Sequence, residues 1–280
     1  MEHLDISPPR ELKSPLKVPH KLLMGPGPSN TAPRVLQAMS QPILGHMHGE
    51  LFKVCELIYN AILIVDCVAS LGAVPLLVDK WKIDVIYSGS QKIISAPPGL
   101  APISFSSRAK NIIFNRTTPI KSYYWDIKLI GQQWNCFGEN VARIYHHTTS
   151  APLLFALREA LAILAEEGLK NVITRHQECA NILYDGLNKI GLELYIKDKC
   201  KRLPSVTSVK VPDEVNWRAV ADFAMKNYNL EISGGLGPTM GKVFRIGLMG
   251  YNATNENVLT TLGIVKESLN YARNKTNSKL

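Results

Sequence analysis

The stretch ILIVDCVASLG at residues 62–72, read together with DVIYSGSQK at 84–92, decides the fold. Ile62 to Val65 is an unbroken apolar run ending on Asp66, the pattern of a strand buried on both faces. Ala73 to Lys82 is long enough for a short crossover helix, after which Asp84 to Tyr87 reads as a second, parallel strand. Ligand crevices of open α/β sheets lie at the carboxyl ends of their strands, and the spacing delivers a carboxylate, Asp66, and an amine, Lys92, to that edge.

The two residue types make sense together. A lysine amine can hold an aldehyde cofactor as a Schiff base, give it up to an incoming amino acid, and carry the proton between the two carbons that exchange it. Lys92 is the candidate. A carboxylate in a poorly solvated pocket keeps a pyridine nitrogen protonated by favouring the charged form, which is the duty available to Asp66. Plainer duties suit the same residues: an Asp capping the next turn and a Lys in solvent.

Six segments, two of them within the stretches above, narrow the choice. MGPGPSN at 24–30, VDCVASLG at 65–72, YSGSQK at 87–92, YHHT at 145–148, GGLGP at 234–238 and FRIGLMGYNAT at 244–254 resemble, in this order, the alanine–glyoxylate (serine–pyruvate) aminotransferases. These are class V pyridoxal-phosphate enzymes of fold type I, and the resemblance runs from about Lys21 to the C-terminus. It implies an α/β fold with a large domain built on a mainly parallel sheet and a smaller α+β C-terminal domain. It also implies pyridoxal 5'-phosphate as cofactor, with Lys92 as its Schiff-base lysine, Asp66 as the pyridinium partner and Gln91 as a phosphate contact. Tyr145 and Thr148 would reach the phosphate of the partner subunit's cofactor, so a homodimer is expected. Arg245 in FRIG would fork onto the substrate α-carboxylate, a task suited to a planar guanidinium, and Gly27 would let the backbone approach that same group.

One departure from the family is large. Between Asn60 and Ala61 the family pattern carries on the order of a hundred further residues, far more than ordinary variation in a connection. The helix-like stretch GHMHGELFKVCELIYN runs straight into the strand bearing Asp66. The missing part is where the family keeps a Ser-Gly-Thr-Gly-His phosphate cup, the ring that stacks on the pyridine, and a serine near the substrate carboxylate. The chain therefore reads as a splice form or incomplete gene product with a truncated large domain, and apolar sheet surface is expected to lie open.

Composition excludes other classes. The chain has 280 residues, 46% of them hydrophobic, and no apolar run of membrane-spanning length. Cys55, Cys67, Cys136, Cys179 and Cys200 are scattered and form no CxxC, so neither a disulfide framework nor a metal site is indicated. The net charge of +9 is dispersed apart from KDKCKR at 197–202, without the aromatic-interleaved basic stripe of a nucleic-acid binder.

The expected organisation is a flexible arm over 1–20, an incomplete cofactor domain over 21–150, a small domain over 151–277, and a targeting tripeptide at 278–280. The region 116–134 reads as a surface connection in which Trp125 and Trp134 pack. Leu153, Leu157, Leu161 and Leu164 mark one face of a helix that stops at Gly168. A second helix follows to about Ile190, then strands near 192–196, 205–211, 230–232 and 243–247, with Asn216 and Thr254 as caps for two more helices. The tail Ser278-Lys279-Leu280 matches the peroxisomal address read by a soluble import receptor. The expected activity is transfer of an amino group from alanine or serine to glyoxylate, giving glycine and pyruvate or the corresponding keto acid. Serine–pyruvate or 3-hydroxykynurenine transamination, and an impaired isoform without the phosphate cup, stay open as alternatives.

Overall fold

The computed structural model describes residues 61–137 and 142–277. The N-terminal arm, the turn containing Gly27, the Asn60 side of the junction and the Ser278-Lys279-Leu280 tail lie outside the described residues.

The first sheet is built as the sequence suggests, with three differences. Strands β1 (Ile64–Asp66) and β2 (Val85–Tyr87) pair in parallel, with Asp66 opposite Tyr87. The expected crossover helix over 73–82 is absent. Pro75 holds φ, lacks an N–H and biases Val74 toward extended backbone, so the segment makes only a Leu71–Val74 bridge and a single turn around Asp79. The second difference is a mixed sheet, where a mainly parallel one was expected. The loop over 88–102 contains Pro97 and Pro98 and no helix, and a connection of that kind returns the chain as an antiparallel strand, β3 (Ile103–Phe105).

The third difference concerns burial. The strand expected to be covered on both faces is open, and Ile64 is 61% exposed. No described element covers that side, which is the consequence foreseen for a chain lacking part of its large domain. What fixes β1 to its neighbours is Asp84, a buried carboxylate accepting from the Leu63 N–H at 3.0 Å and the Ser106 hydroxyl at 2.8 Å. Burial alone would raise its pKa, but the Leu63 N–H, the Ser106 hydroxyl and the nearby Arg108 guanidinium outweigh that and hold it below the usual carboxylate value.

Ser106 also caps α1 (Ser107–Phe114), and Asp126 caps α2 (Ile127–Gln133). Trp125, just before α2, is 77% exposed and Trp134 is exposed as well, so neither is the packing residue expected. Helix α3 (Ala151–Glu167) lays Leu157, Leu161 and Leu164 against Ile94 and Ala96, docking itself on the loop that follows Lys92. Gly168, at φ 83°, ends it in a conformation disfavoured for other residues, and α4 (Leu169–Lys189) follows.

The C-terminal part is an antiparallel sheet of order β4-β6-β5, made of β4 (Val206–Lys210), β5 (Ser233–Gly234) and β6 (Val243–Gly247). Helices α4, α5 (Trp217–Tyr228) and α6 (Asn255–Asn277) pack together, and the shared core includes Leu183, Leu187, Val220, Phe244, Ile246 and Val265. Asn216 and Thr254 cap α5 and α6 as expected. The segment 192–196 contributes only a Leu194–Val209 bridge, and pairing expected over 230–232 begins at Ser233, with Ile232 buried in the core.

Helix α4 carries a fully buried histidine, His176. Its Nδ1 lies 2.7 Å from the Val172 carbonyl and its Nε2 accepts from the Gly250 N–H at 3.0 Å, an arrangement only the neutral ring can make. Burial, with Arg175 alongside, lowers its pKa against the opposing pull of the Val172 carbonyl and Glu167. Below the ordinary value of about 6.5 the unfolded chain takes up a proton that the folded chain refuses, so stability rises with pH in that window. The urea midpoint is expected to fall as pH drops from 7 to 5, with a His176 contribution of at most about 1.4 kcal/mol per pH unit. His176→Gln should flatten this dependence; an equally steep midpoint in the variant would show that other groups carry it.

Candidate active site

Asp66 ends β1 with one carboxylate oxygen accepting from the Val68 N–H at 2.8 Å and the other from the Tyr87 hydroxyl at 2.9 Å. The parallel register places Tyr87 beside it on the same face. Burial, followed by the hydrogen bond to Asp66, raises the phenol pKa, so Tyr87 remains a donor at neutral pH. Tyr87 was not singled out from the sequence; pairing VIY with IVD in parallel would have exposed it. Cys67 is the small buried residue expected, its thiol near the Tyr87 carbonyl and pushed up by burial.

The chain leaves β2 through a loop closed on itself. Ser90 accepts the Ala96 N–H on its carbonyl and donates its hydroxyl to the Pro97 carbonyl, while the Ser95 N–H bonds the Lys92 carbonyl at 3.0 Å. Ile93 and Ile94 are buried beneath, leaving Lys92 half-buried and Gln91 exposed at the mouth. Asp66 thus ends β1, and Lys92 lies in the loop that leaves the carboxyl end of the adjacent parallel strand β2.

The other site residues fall elsewhere. The YHHT strap is held by Gln133 of α2, whose amide oxygen accepts from the His146 and His147 N–H groups and whose nitrogen donates to the His147 carbonyl. Tyr123 stacks on His146 at 4.4 Å between ring centres. This leaves Tyr145 pointing outward, 74% exposed, with its hydroxyl 2.5 Å from Thr148. Arg245 is half-buried on β6, its Nε donating to the Gly234 carbonyl at 2.9 Å; among the described residues it makes no ion pair. Neither Arg245 nor the Tyr145–Thr148 pair bonds directly to Asp66 or Lys92 among the described residues.

These residues fit one end of an aldehyde-bearing pyridine. Asp66 retains acceptor capacity for a ring N–H, and Lys92 offers an amine. The phosphate end is poorly provided: no described helix starts from the carboxyl end of β1 or β2, where backbone N–H groups would meet an anion. Among the described residues no cluster of three His, Cys, Asp or Glu side chains could hold a metal ion, and no helix is long and apolar enough to cross a membrane.

The fold and this pair define a class. Residues 44–259 match the family model for aminotransferase class-V, and the chain belongs to that family of pyridoxal-phosphate-dependent, fold-type I enzymes. Within it, the chain is 38% identical to the alanine–glyoxylate aminotransferase of Drosophila melanogaster over 95% of its own length and 96% of the relative's. It is 35% identical to the (S)-ureidoglycine–glyoxylate transaminase of Bacillus subtilis, over 72% of this chain and 52% of that one. Among solved structures it resembles the alanine–glyoxylate aminotransferase from Nostoc sp., with TM-score 0.73 and 41% identity over 78% of this chain.

The chain spans only 56% of the length of that structure. The Drosophila alignment runs over 382 positions, more than the 280 residues of this chain, so about a hundred of the relative's positions face no residue here. The large internal departure read from the sequence is thus present, as are the family, fold type and cofactor class expected from its motifs.

Proposed function

We propose that this chain carries the chemistry of alanine–glyoxylate transamination, moving an amino group from alanine or serine to glyoxylate. The observation that carries the reading is that Asp66 ends β1 while Lys92 lies in the loop leaving the carboxyl end of its parallel neighbour β2. When bound, pyridoxal phosphate supplies an electron sink and a carrier for the amino group. Asp66, oriented by Tyr87 and the Val68 N–H, would hold the proton on the pyridine nitrogen, since a fixed carboxylate favours the charged form. Lys92 would hold the aldehyde end of the cofactor and supply the amine that acts as general base and acid toward the substrate proton. Arg245 grips the substrate carboxylate through its two terminal nitrogens, its Nε being spent on Gly234. Tyr145 and Thr148, exposed on their strap, serve the phosphate of a partner subunit, which makes the working unit a homodimer.

Borohydride reduction after mixing with equimolar pyridoxal phosphate tests the assignment. Peptide mapping is expected to place the label on Lys92, both in this chain and in a version carrying the family's internal segment. A label on Lys82 or Lys121 instead would remove Lys92 from its role.

Support for a second reading comes from the exposed Ile64 strand and the poorly provided phosphate end: a chain of low activity that docks on a longer subunit. The rate comparison in the Discussion separates the two.

The tail Ser278-Lys279-Leu280 supports a peroxisomal address and an import receptor as partner. A fluorescent protein joined to the N-terminus is expected to collect in peroxisomes and to stay in the cytosol once Leu280 is removed. Import that survives the deletion would discard this location.

A further inference from the structure

The turn Gly250–Asn252, in the stretch GLMGYNAT, is gripped from two sides. Behind it stand two consecutive residues of α4. His176 accepts the Gly250 N–H at 3.0 Å, and one Arg175 nitrogen donates to the carbonyls of both Gly250 and Ala253 at 2.8 Å. The rest of the Arg175 fork is locked on Glu167 of α3, at 2.6 and 2.9 Å, so it cannot swing away without breaking an ion pair.

In front stands the turn that follows Lys92. The Tyr251 N–H donates to the Ser95 hydroxyl oxygen at 2.9 Å, and the Ser95 N–H closes back on the Lys92 carbonyl at 3.0 Å. Ser95 has φ 63°, a left-handed conformation that a serine adopts only when its surroundings fix it. The approach is too close for any side chain at position 250: a Cβ there would lie 1.9 Å from the Ser95 oxygen and 2.3 Å from the Ile93 carbonyl oxygen. Gly250 itself has φ 55°. Beside these contacts runs a groove of about 300 Å³ lined by Ile93, Ser95, Ile163, Gly250 and Tyr251.

We propose that the Gly250–Tyr251 turn is a clamp that positions the Lys92 turn, with Ser95, His176 and Arg175 as positioning residues. The C-terminal part of the chain thereby sets where the Lys92 amine points, through a path of hydrogen bonds from α4 to Gly250, Tyr251, Ser95 and the Lys92 carbonyl. The inference rests on the reading of Lys92 as the cofactor lysine, yet the two fail separately. Borohydride mapping tests the lysine, and backbone exchange tests the clamp without cofactor.

Hydrogen–deuterium exchange of the full chain, followed in peptides covering 90–97 and, as a control, 206–210, is the experiment. Ser95→Ala removes the hydroxyl acceptor from an exposed position and is expected to speed exchange over 92–96 by about tenfold, with the control unchanged. His176→Leu should do the same, whereas His176→Gln, whose amide oxygen can accept the Gly250 N–H in place of Nε2, should stay near the parent. Acylation of Lys92 by acetic anhydride, read across pH by peptide mapping, should shift in Ser95→Ala and be restored in His176→Gln relative to His176→Leu. Unchanged exchange in Ser95→Ala overturns the clamp, as does equal acceleration in both peptides or complete exchange of 90–97 in the parent. Should His176→Leu fail to fold, Ser95→Ala alone decides.

Discussion

Supplying, between Asn60 and Ala61, the roughly hundred residues that relatives carry is expected to raise alanine–glyoxylate transamination at least about a thousandfold over the chain as it stands, equivalent to about 4 kcal/mol. In the proposed reading the reactive end needs little more, with Asp66 oriented by Tyr87 and Val68 and Lys92 on a closed loop. The phosphate end is not. A dianion needs several converging N–H groups, and no described helix starts from the carboxyl end of β1 or β2 to aim them, while Gln91 lies exposed on the loop after β2. Strand β1 also turns an apolar surface, Ile64 foremost, toward water, so the platform bearing Asp66 lacks its cover. The measurement is kcat/KM for alanine and glyoxylate in both versions, beside the visible absorption of each with added cofactor. Rates within tenfold of one another would refute this account and mean that the contacts already present, the partner subunit's strap among them, suffice for the phosphate.

How much of this could be read in advance depends on which interactions are local. The β1–β2 pairing was legible because the apolar run before Asp66 and the VIY run before the small residues of SGS are local patterns with polar ends. Helices α3 and α4 were legible from leucine spacing and from Gly168. The absent crossover helix was decided by Pro75, whose effect on Val74 outweighed the helical propensity of the rest. The reversal of β3 and the reduction of 192–196 to one bridge depend on which partner strand is available, which no local window contains. At the site, Asp66 and Lys92 could be found from strand ends. Tyr87 required the register, and the Ser95–Tyr251 contact joins residues 156 positions apart with no pattern linking them.

Replacing Lys92 by alanine in the version with the segment supplied is expected to lower transamination by at least about ten-thousandfold, the upper range for loss of a positioned general acid–base. Two duties are lost together, because the same amine anchors the aldehyde and carries the proton between carbons. The loss should fall on kcat more than on KM, because in the proposed reading Arg245 would still grip the substrate carboxylate and Asp66 would still hold the pyridine nitrogen. The visible band should move as well, since the cofactor would be held without a covalent link. A small primary amine such as methylamine, added at high concentration, should restore part of the rate by carrying the proton through solvent, and it should do nothing for the parent. This separates lost chemistry from lost folding, because a misfolded variant cannot be rescued by an amine. Activity within tenfold of the parent in a variant with an unchanged circular dichroism spectrum would take Lys92 out of the reaction and leave the loop after β2 with a structural part only.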